Sequence, residues 1–135
     1  MLLKKFFTIN NLNTKKTRQY LVFAILALFS WWLMFFTFSY QDHQFVIRSR
    51  LWSDFAAHIP LIRSFSLGNN FPPEYPQFAN EPIRYHFLFY LLVGMLEKIG
   101  LNLAVSLNLL SAIGFFVLLV MIYLSAQLLA DPKKR

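Results

Sequence analysis

Asp54 and His58, in the stretch WSDFAAH, are the residue pair whose types and spacing best suggest chemistry. Four residues apart, they lie about 40° apart on a helical wheel and share one helix face. A carboxylate beside an imidazole can accept a proton, bind a divalent cation or hold a polar headgroup. The pattern D-x-x-x-H is weakly specific, and it equally fits the solvated polar face of a surface helix. A metal site would need further ligands, for which Asp42, His43 and Glu74 are nominal candidates.

A second set of candidates consists of His86, which follows Tyr85 at the start of an apolar segment, and three arginines. An ionisable group at membrane depth suggests function, whereas a Tyr-His pair at the boundary can simply anchor a helix. Arg50, Arg63 and Arg84 can bind phosphate in bidentate fashion. They can equally neutralise the acidic residues around them and contact lipid headgroups.

All of these candidates except Asp42 and His43 lie within or close to residues 52–89, between long apolar segments. The chain is 57% hydrophobic and 14% charged, against about 25% charged residues in average globular proteins. A soluble core of this size could not bury sixteen Phe, so lipid must solvate much of the surface. The chain has no Cys, which excludes disulfides and thiolate metal sites.

The net charge of +7 arises from Lys and Arg that cluster at the two ends of the chain. Such clusters beside apolar segments follow the positive-inside rule and attract anionic lipid headgroups. No nucleic-acid-binding motif accompanies them, so we expect membrane lipids and no nucleic acid as partners. The end clusters are Lys4, Lys5, Lys15, Lys16 and Arg18, and Lys133, Lys134 and Arg135.

The first half of the chain predicts a basic flank, a membrane span and a polar loop. Residues 1–19 form the cytoplasmic flank, loose over residues 10–17, and residues 20–39 form an uncleaved transmembrane helix without charges. The N-terminus is therefore cytoplasmic and the protein integral to the plasma membrane. Residues 40–84, with four basic and four acidic side chains, form a large extracytoplasmic loop.

Within this loop, apolar residues at helical spacing predict an amphipathic helix over residues 51–67 that lies along the membrane surface. Pro60 predicts a kink or a division into two short helices. Gly68 and the two Asn after it end the helix, as residues that tolerate left-handed conformations. Four prolines make residues 71–82 an extended or turning segment.

The second half contains one short and one long apolar segment. Residues 85–101 form a short second membrane segment, which could cross by tilting or could be re-entrant or interfacial. Residues 102–130 contain a clear span that a basic tail, residues 131–135, follows. Two spans would place the tail in the cytoplasm, as charge bias favours, and three would place it outside. The predicted fold is therefore an all-α integral membrane protein with two to three transmembrane helices and interfacial amphipathic helices in its loop. We adopt three spans, for the reason given next.

The order of these features resembles the N-terminal part of the membrane GT-C glycosyltransferases. These enzymes transfer sugar from a polyprenyl-phosphate carrier on the extracytoplasmic side. In that superfamily a first span leads into a large external loop. The loop contains an acidic residue, surface helices with a Gly, a Pro-containing stretch and aromatic residues at its return to the membrane. The matching positions are Asp54 in WSDFAAH, Ile62 and Phe65 in IRSF, Gly68 in LGNN, Pro72 and Pro73 in NFPPEYP, and Tyr85 with His86 in RYHFLF.

The resemblance implies that Asp54 is the general base or a ligand that orients a divalent metal, and that Arg63 or Arg84 holds the carrier phosphate. His58, Tyr85 and His86 would contribute to substrate binding. Two departures are a Phe where the family commonly has a second acid beside Asp54, and a length of 135 residues. The resemblance therefore implies a segment that is inactive alone and that partners the remaining spans of a longer protein. The alternative is a small non-catalytic membrane protein that binds lipid headgroups or a membrane partner.

Overall fold

A computed structural model describes residues 2–48, 52–78 and 80–130 of the chain. It contains four helices and a short antiparallel hairpin, which confirms a mainly helical fold. The expected roles of Arg50 and Leu51 and the basic tail lie outside the described residues. The elements are α1 (Leu2–Thr37), β1 (Phe38–Gln41), β2 (Gln44–Ile47), α2 (Trp52–Ser66), α3 (Leu88–Lys98) and α4 (Leu103–Ala130).

Two of these helices contain stretches long and apolar enough to cross a membrane, Lys16–Thr37 with 22 residues and Leu103–Ala130 with 28. At about 1.5 Å per residue both exceed the roughly 30 Å of a bilayer's hydrocarbon core. Of the 18-residue apolar window within each stretch, only 6% in the first and 22% in the second is buried within the chain. These two stretches agree with the first and last predicted spans.

Helix α1 begins at Leu2, so the flank that we expected to be loose over residues 10–17 is helical. The sequence of α1 contains neither Gly nor Pro, the two residues that disfavour a helix interior most. Its Lys, Arg, Gln and Leu side chains are good helix formers, which explains the extension.

The chain divides into two compact units, one from the described part of Met1–Trp32 and Ala112–Arg135 and one from Leu33–Ser111. In the first unit, aromatic side chains join the two long helices. The ring of Phe23 meets that of Tyr123 edge-on at 5.9 Å between centroids, and Phe29 lies 6.2 Å from Phe115. The buried Ser30 hydroxyl donates to the Leu26 carbonyl at 2.8 Å, so this polar group is satisfied inside its own helix.

The second unit begins with the β1–β2 hairpin, which the sequence analysis did not predict. Phe38 pairs with Ile47 and Gln41 with Gln44. The turn residues Asp42 and His43 both have positive φ, 48° and 61°, as a two-residue type I′ turn requires. These two side chains, nominal metal ligands in the sequence, are thus the residues of a tight turn.

Helices α2 and α3 pack closely and form most of the core of the second unit. Ile62 of α2 and Val93 of α3 are completely buried. A Cβ on Gly94 would lie 3.0 Å from both the Ile62 carbonyl oxygen and the Phe65 Cβ. The two backbones therefore approach so closely that a larger residue at position 94 would require its neighbours to shift.

Helix α2 corresponds to the predicted helix 51–67, but it differs from the prediction in two respects. Pro60 lies inside one continuous helix, Trp52–Ser66, so the division into two short helices is wrong. The predicted apolar stripe faces the protein rather than the membrane: Ile62 and Ser66 are buried, and Phe55 and Ile59 pack against the core. Burial against α3 and the hairpin removes the same apolar surface from water that lipid contact would have removed.

The end of α2 lies where the sequence predicts it, although for another reason. Gly68 does not have positive φ, so the expected left-handed conformation is absent there. A Cβ at Gly68 would lie 2.7 Å from the Ser64 carbonyl oxygen, and this close approach explains the glycine. The segment after it contains turns and no regular helix over its described residues, as its prolines predict.

Helix α3 has eleven residues and reaches about 17 Å, too short to cross about 30 Å of hydrocarbon. It ends in a Schellman motif: Gly100 has φ 105°, its N–H bonds the Glu97 carbonyl, and the Leu101 N–H bonds the Leu96 carbonyl. The described residues thus support two spanning helices, and the third span that we adopted is not supported.

Candidate functional site

The second unit brings His58 of α2 against Tyr90 of α3. The Tyr90 hydroxyl lies 2.9 Å from His58 Nδ1, within hydrogen-bonding distance. The two rings stack with centroids 5.2 Å apart, and the His86 ring lies 6.4 Å from Tyr90 on a nearly parallel plane. Tyr85 completes the group, with its ring centroid 3.6 Å from that of His86.

Helix packing places this aromatic group. His58 precedes Ile62 by one helical turn on the face of α2 that meets α3. Tyr90 precedes Val93 and Gly94 on the corresponding face of α3. The contact at Gly94 therefore sets the His58 and Tyr90 side chains opposite each other.

Burial differs between the two partners. Tyr90 is buried, and this burial, with a smaller contribution from the neighbouring Tyr85, raises the pKa of the Tyr90 hydroxyl above its ordinary value of 10. His58 is half-buried. Its second ring nitrogen, Nε2, has no hydrogen-bond partner among the described residues. The imidazole is thus oriented through Nδ1 while Nε2 remains open to a ligand or a proton.

His58 and Tyr90 both line two cavities. The first, about 310 Å³, is mostly aromatic, and the second, about 240 Å³, has more polar walls. Besides the shared pair, Ala57, Leu61, Tyr75, Gln77, Phe78 and Tyr85 line the first. The second is lined by Met34, Thr37, Phe55, Phe89, Leu107, Asn108 and Ser111. A ligand in either cavity would contact the histidine that Tyr90 orients.

The loop after α2 supplies the aromatic wall of the larger cavity, and Asn70 fixes its path. The Asn70 amide donates to Ser64 Oγ at 2.9 Å and to the Glu74 carbonyl at 2.8 Å, and its oxygen accepts from the Glu74 N–H. The Tyr75 N–H then bonds the Glu81 carbonyl at 2.9 Å. These bonds satisfy backbone groups that the prolines leave outside regular structure.

Asp54 lies apart from this group. It is exposed on the first turn of α2, where the positive end of the helix dipole favours a carboxylate. It forms no hydrogen bond or ion pair with any described residue, His58 included. Asp54 and His58 share a helix, but His58 is engaged by Tyr90.

The two described arginines of the candidate set are paired with acids. Arg63 contacts Glu97 of α3 at 3.0 Å, with side chains 35% and 10% exposed. Arg84 contacts Glu81 at 3.5 Å, and both of those side chains are exposed. Arg63 thus bridges two helices, whereas Arg84 remains accessible to an anion.

Sequence reasoning missed Tyr90 and Glu97, and it favoured an interfacial or helix-packing role for Asn108 over a role as a ligand. Tyr90 follows His86 by four residues, so helical spacing could have joined the two. Glu97 and Asn108 bond to Arg63 and to the Phe38 carbonyl, residues distant in sequence, and no local pattern indicates these pairings.

Within the described ranges, no three His, Asp or Glu side chains lie together as a metal site would require. Comparison of the chain with family models, curated proteins and solved structures finds no match.

Proposed function

We propose that this chain is the N-terminal segment of a GT-C-like membrane glycosyltransferase. Lys16–Thr37 and Leu103–Ala130 cross the plasma membrane, and the residues between them lie on the extracytoplasmic side. Two spans leave the basic clusters at both chain ends on the cytoplasmic side, in agreement with the positive-inside rule. A third span would instead place the basic tail on the extracytoplasmic side, against this rule.

The observation that supports this proposal best is the exposure of Asp54 at the start of α2, where no described residue engages its carboxylate. A general base must be accessible to the proton that it removes. In the proposed reaction, Asp54 removes the proton of the acceptor hydroxyl while the oxygen of that hydroxyl forms a bond to the anomeric carbon of the sugar. The bond from that carbon to the carrier phosphate breaks, and the polyprenyl phosphate leaves.

The other side chains take supporting roles. Arg84 is exposed and weakly paired, so it is better suited than Arg63 to hold the carrier phosphate. His58, with Nε2 open, and Tyr85 line the larger cavity, beside which His86 lies; they would contact substrate.

The first experiment is to read the DNA downstream of the Arg135 codon. The proposal expects a longer reading frame with further apolar spans. A stop codon followed by an unrelated gene would leave the chain without the spans and loops that close such an active site.

The second experiment measures sugar transfer by that longer protein in membranes, with a panel of undecaprenyl-phosphate hexoses as donors. Asp54→Asn keeps the size of the side chain and removes its basicity, so transfer should fall by about 10²-fold or more. Asp42→Asn is the matched control, because its turn conformation with positive φ suits Asn. Full transfer by a folded Asp54→Asn protein would contradict the proposed base.

A second function, a small non-catalytic membrane protein that binds lipid headgroups or a membrane partner, is favoured by the ion pairs of Arg63 and Arg84. Both guanidinium groups already contact carboxylates within the chain. This function predicts that Asp54→Asn and His58→Ala leave the binding of lipid or of the membrane partner intact. Polar substitutions of the exposed apolar surface should weaken that binding.

A further inference from the structure

Three exposed apolar side chains of α3 and that of Ile99, the residue directly after it, form one stripe. Leu88, Leu92, Met95 and Ile99 are 62%, 44%, 55% and 74% exposed. At 100° per residue they lie within an arc of about 60°. We call these four residues the α3 stripe.

The opposite face of α3 packs against the rest of the second unit. Tyr90, Val93 and Gly94 are buried against the rest of the second unit. Glu97, on that same face, contacts Arg63. The α3 stripe therefore has no charged residue within it, and no described residue of the second unit covers it.

The position of α3 in the chain indicates what covers the stripe. Only Ile99, Gly100, Leu101 and Asn102 separate α3 from α4, so Lys98 and Leu103 lie within about 18 Å of each other. Leu103 is the first residue of a stretch long and apolar enough to cross a membrane. The stripe thus lies close in sequence to the start of the helix that we propose crosses the bilayer.

The turn between the two helices is also fixed. Gly100 and Leu101 close the Schellman motif of α3. The Asn102 side chain then caps α4 by accepting the Ala104 N–H at 2.8 Å. Because backbone bonds end one helix and a side-chain cap starts the next, the orientation of α3 relative to the start of α4 is defined.

Lys98 adds a positive charge at the C-terminal end of α3. It is exposed beside the stripe, in the last turn of α3. A lysine next to an apolar helix face can bury its stem and leave its ammonium among lipid phosphates.

We propose that α3 is an interfacial helix whose stripe inserts into the extracytoplasmic leaflet at the boundary of headgroups and acyl chains. The occupant of the stripe is lipid. This inference rests on the proposed membrane insertion of α4. It changes the assignment from sequence for α2, which directs its apolar face to the protein core, and it makes the short membrane segment that contains α3 interfacial rather than spanning.

The test uses the full chain in nanodiscs of phosphatidylethanolamine and phosphatidylglycerol. Because the chain has no Cys, single-cysteine variants can carry an environment-sensitive fluorophore without other changes. Leu92→Cys and Met95→Cys probe the stripe, Ala57→Cys probes the exposed part of α2, and Val117→Cys probes the exposed surface of α4. Quenching by shallow or deep spin-labelled lipids is compared with quenching by aqueous iodide. Circular dichroism checks that each variant keeps the wild-type helix content.

Shallow spin-labelled lipid should quench the Leu92→Cys and Met95→Cys probes at least about threefold more than it quenches Ala57→Cys, and iodide should show the reverse order. Deep spin-labelled lipid should quench Val117→Cys.

The outcomes separate the inference from the proposal on which it rests. If deep spin-labelled lipid fails to quench Val117→Cys, α4 does not span the membrane. The proposed membrane topology and the interfacial position of α3 are then both overturned. If Val117→Cys is quenched but iodide reaches Met95→Cys as readily as Ala57→Cys, the inference is overturned while the spanning helix stands. Protection of Met95→Cys from both quenchers would show that a second copy or another protein covers the stripe, which also overturns it.

Discussion

The side-chain amide of Asn108 donates a 2.6 Å hydrogen bond to the backbone carbonyl of Phe38, 70 residues earlier in the chain. Both groups are buried in the second unit, where α1 ends and α4 begins. Phe38 is the first residue of the hairpin, so this bond joins the hairpin to α4 in addition to their shared apolar core. Its loss should loosen the part of the chain between the two long helices.

We expect Asn108→Leu to lower the free energy of unfolding by about 1–3 kcal/mol, because the buried Phe38 carbonyl would lose its donor. Denaturant titration in detergent micelles, followed by circular dichroism, measures the change. Asn69→Leu makes the same chemical change at an exposed position and should shift stability by less than about 0.5 kcal/mol. Equal stabilities of the two variants would contradict the structural role of Asn108.

Gly94→Val should destabilise the protein by about 1–3 kcal/mol, because the new side chain would meet the backbone of α2 and force the helices apart. Gly114→Val is its matched control within α4, where a Cβ would have no atom within 4 Å. We expect that control to change stability by no more than about 0.5 kcal/mol. A Gly94→Val protein as stable as Gly114→Val would show that α2 and α3 do not pack as closely as described.

Arg63→Met should cost about 2–3 kcal/mol, since it leaves the nearly buried Glu97 carboxylate without its partner. The partial exposure of Arg63 keeps this cost below that of a fully buried pair. The double variant Arg63→Met with Glu97→Leu should recover most of the loss, which a double-mutant cycle of unfolding free energies measures. Additive losses would mean that the two side chains do not interact.

The same double variant tests the second role suggested for Arg63. If Arg63 holds a carrier phosphate, sugar transfer by the longer protein should be lost even though the fold is restored. If Arg63 only bridges the helices, the double variant should transfer sugar as the wild type does.

Tyr90→Phe keeps the ring and removes the hydroxyl that contacts His58, so we expect a loss of about 1 kcal/mol at neutral pH. Tyr40→Phe is the control at an exposed ring and should cost less than about 0.5 kcal/mol.

The pH dependence gives a second measurement on Tyr90. Its pKa is raised in the folded state, so above about pH 10 the unfolded state releases this proton first and wild-type stability falls as pH rises. Tyr90→Phe lacks this contribution, so the stability difference between wild type and variant should shrink from pH 9 towards pH 11, roughly the range around the ordinary pKa. A constant difference across that range would contradict the burial of the Tyr90 hydroxyl.

The sequence alone determined the features that depend on neighbouring residues. The two apolar stretches of α1 and α4, the bounds of α2 to within a residue and the turns of the Pro-rich segment all follow from local composition and spacing. The hairpin is local as well: Phe38 and Tyr40 alternate with polar residues before the Asp42–His43 turn, although this turn lacks the Asn-Gly or Asp-Gly pair that marks such hairpins most strongly.

Only the tertiary structure decided which partner each surface meets. The apolar stripe of α2 is evident in the sequence, but the hydrophobic effect has no direction, so the pattern cannot distinguish lipid from α3. The contacts of His58 with Tyr90, Arg63 with Glu97 and Asn108 with Phe38 join distant residues. The first two depend on the close approach of α2 and α3 at Gly94, and the third joins α4 to the hairpin; no spacing within a single helix encodes any of the three.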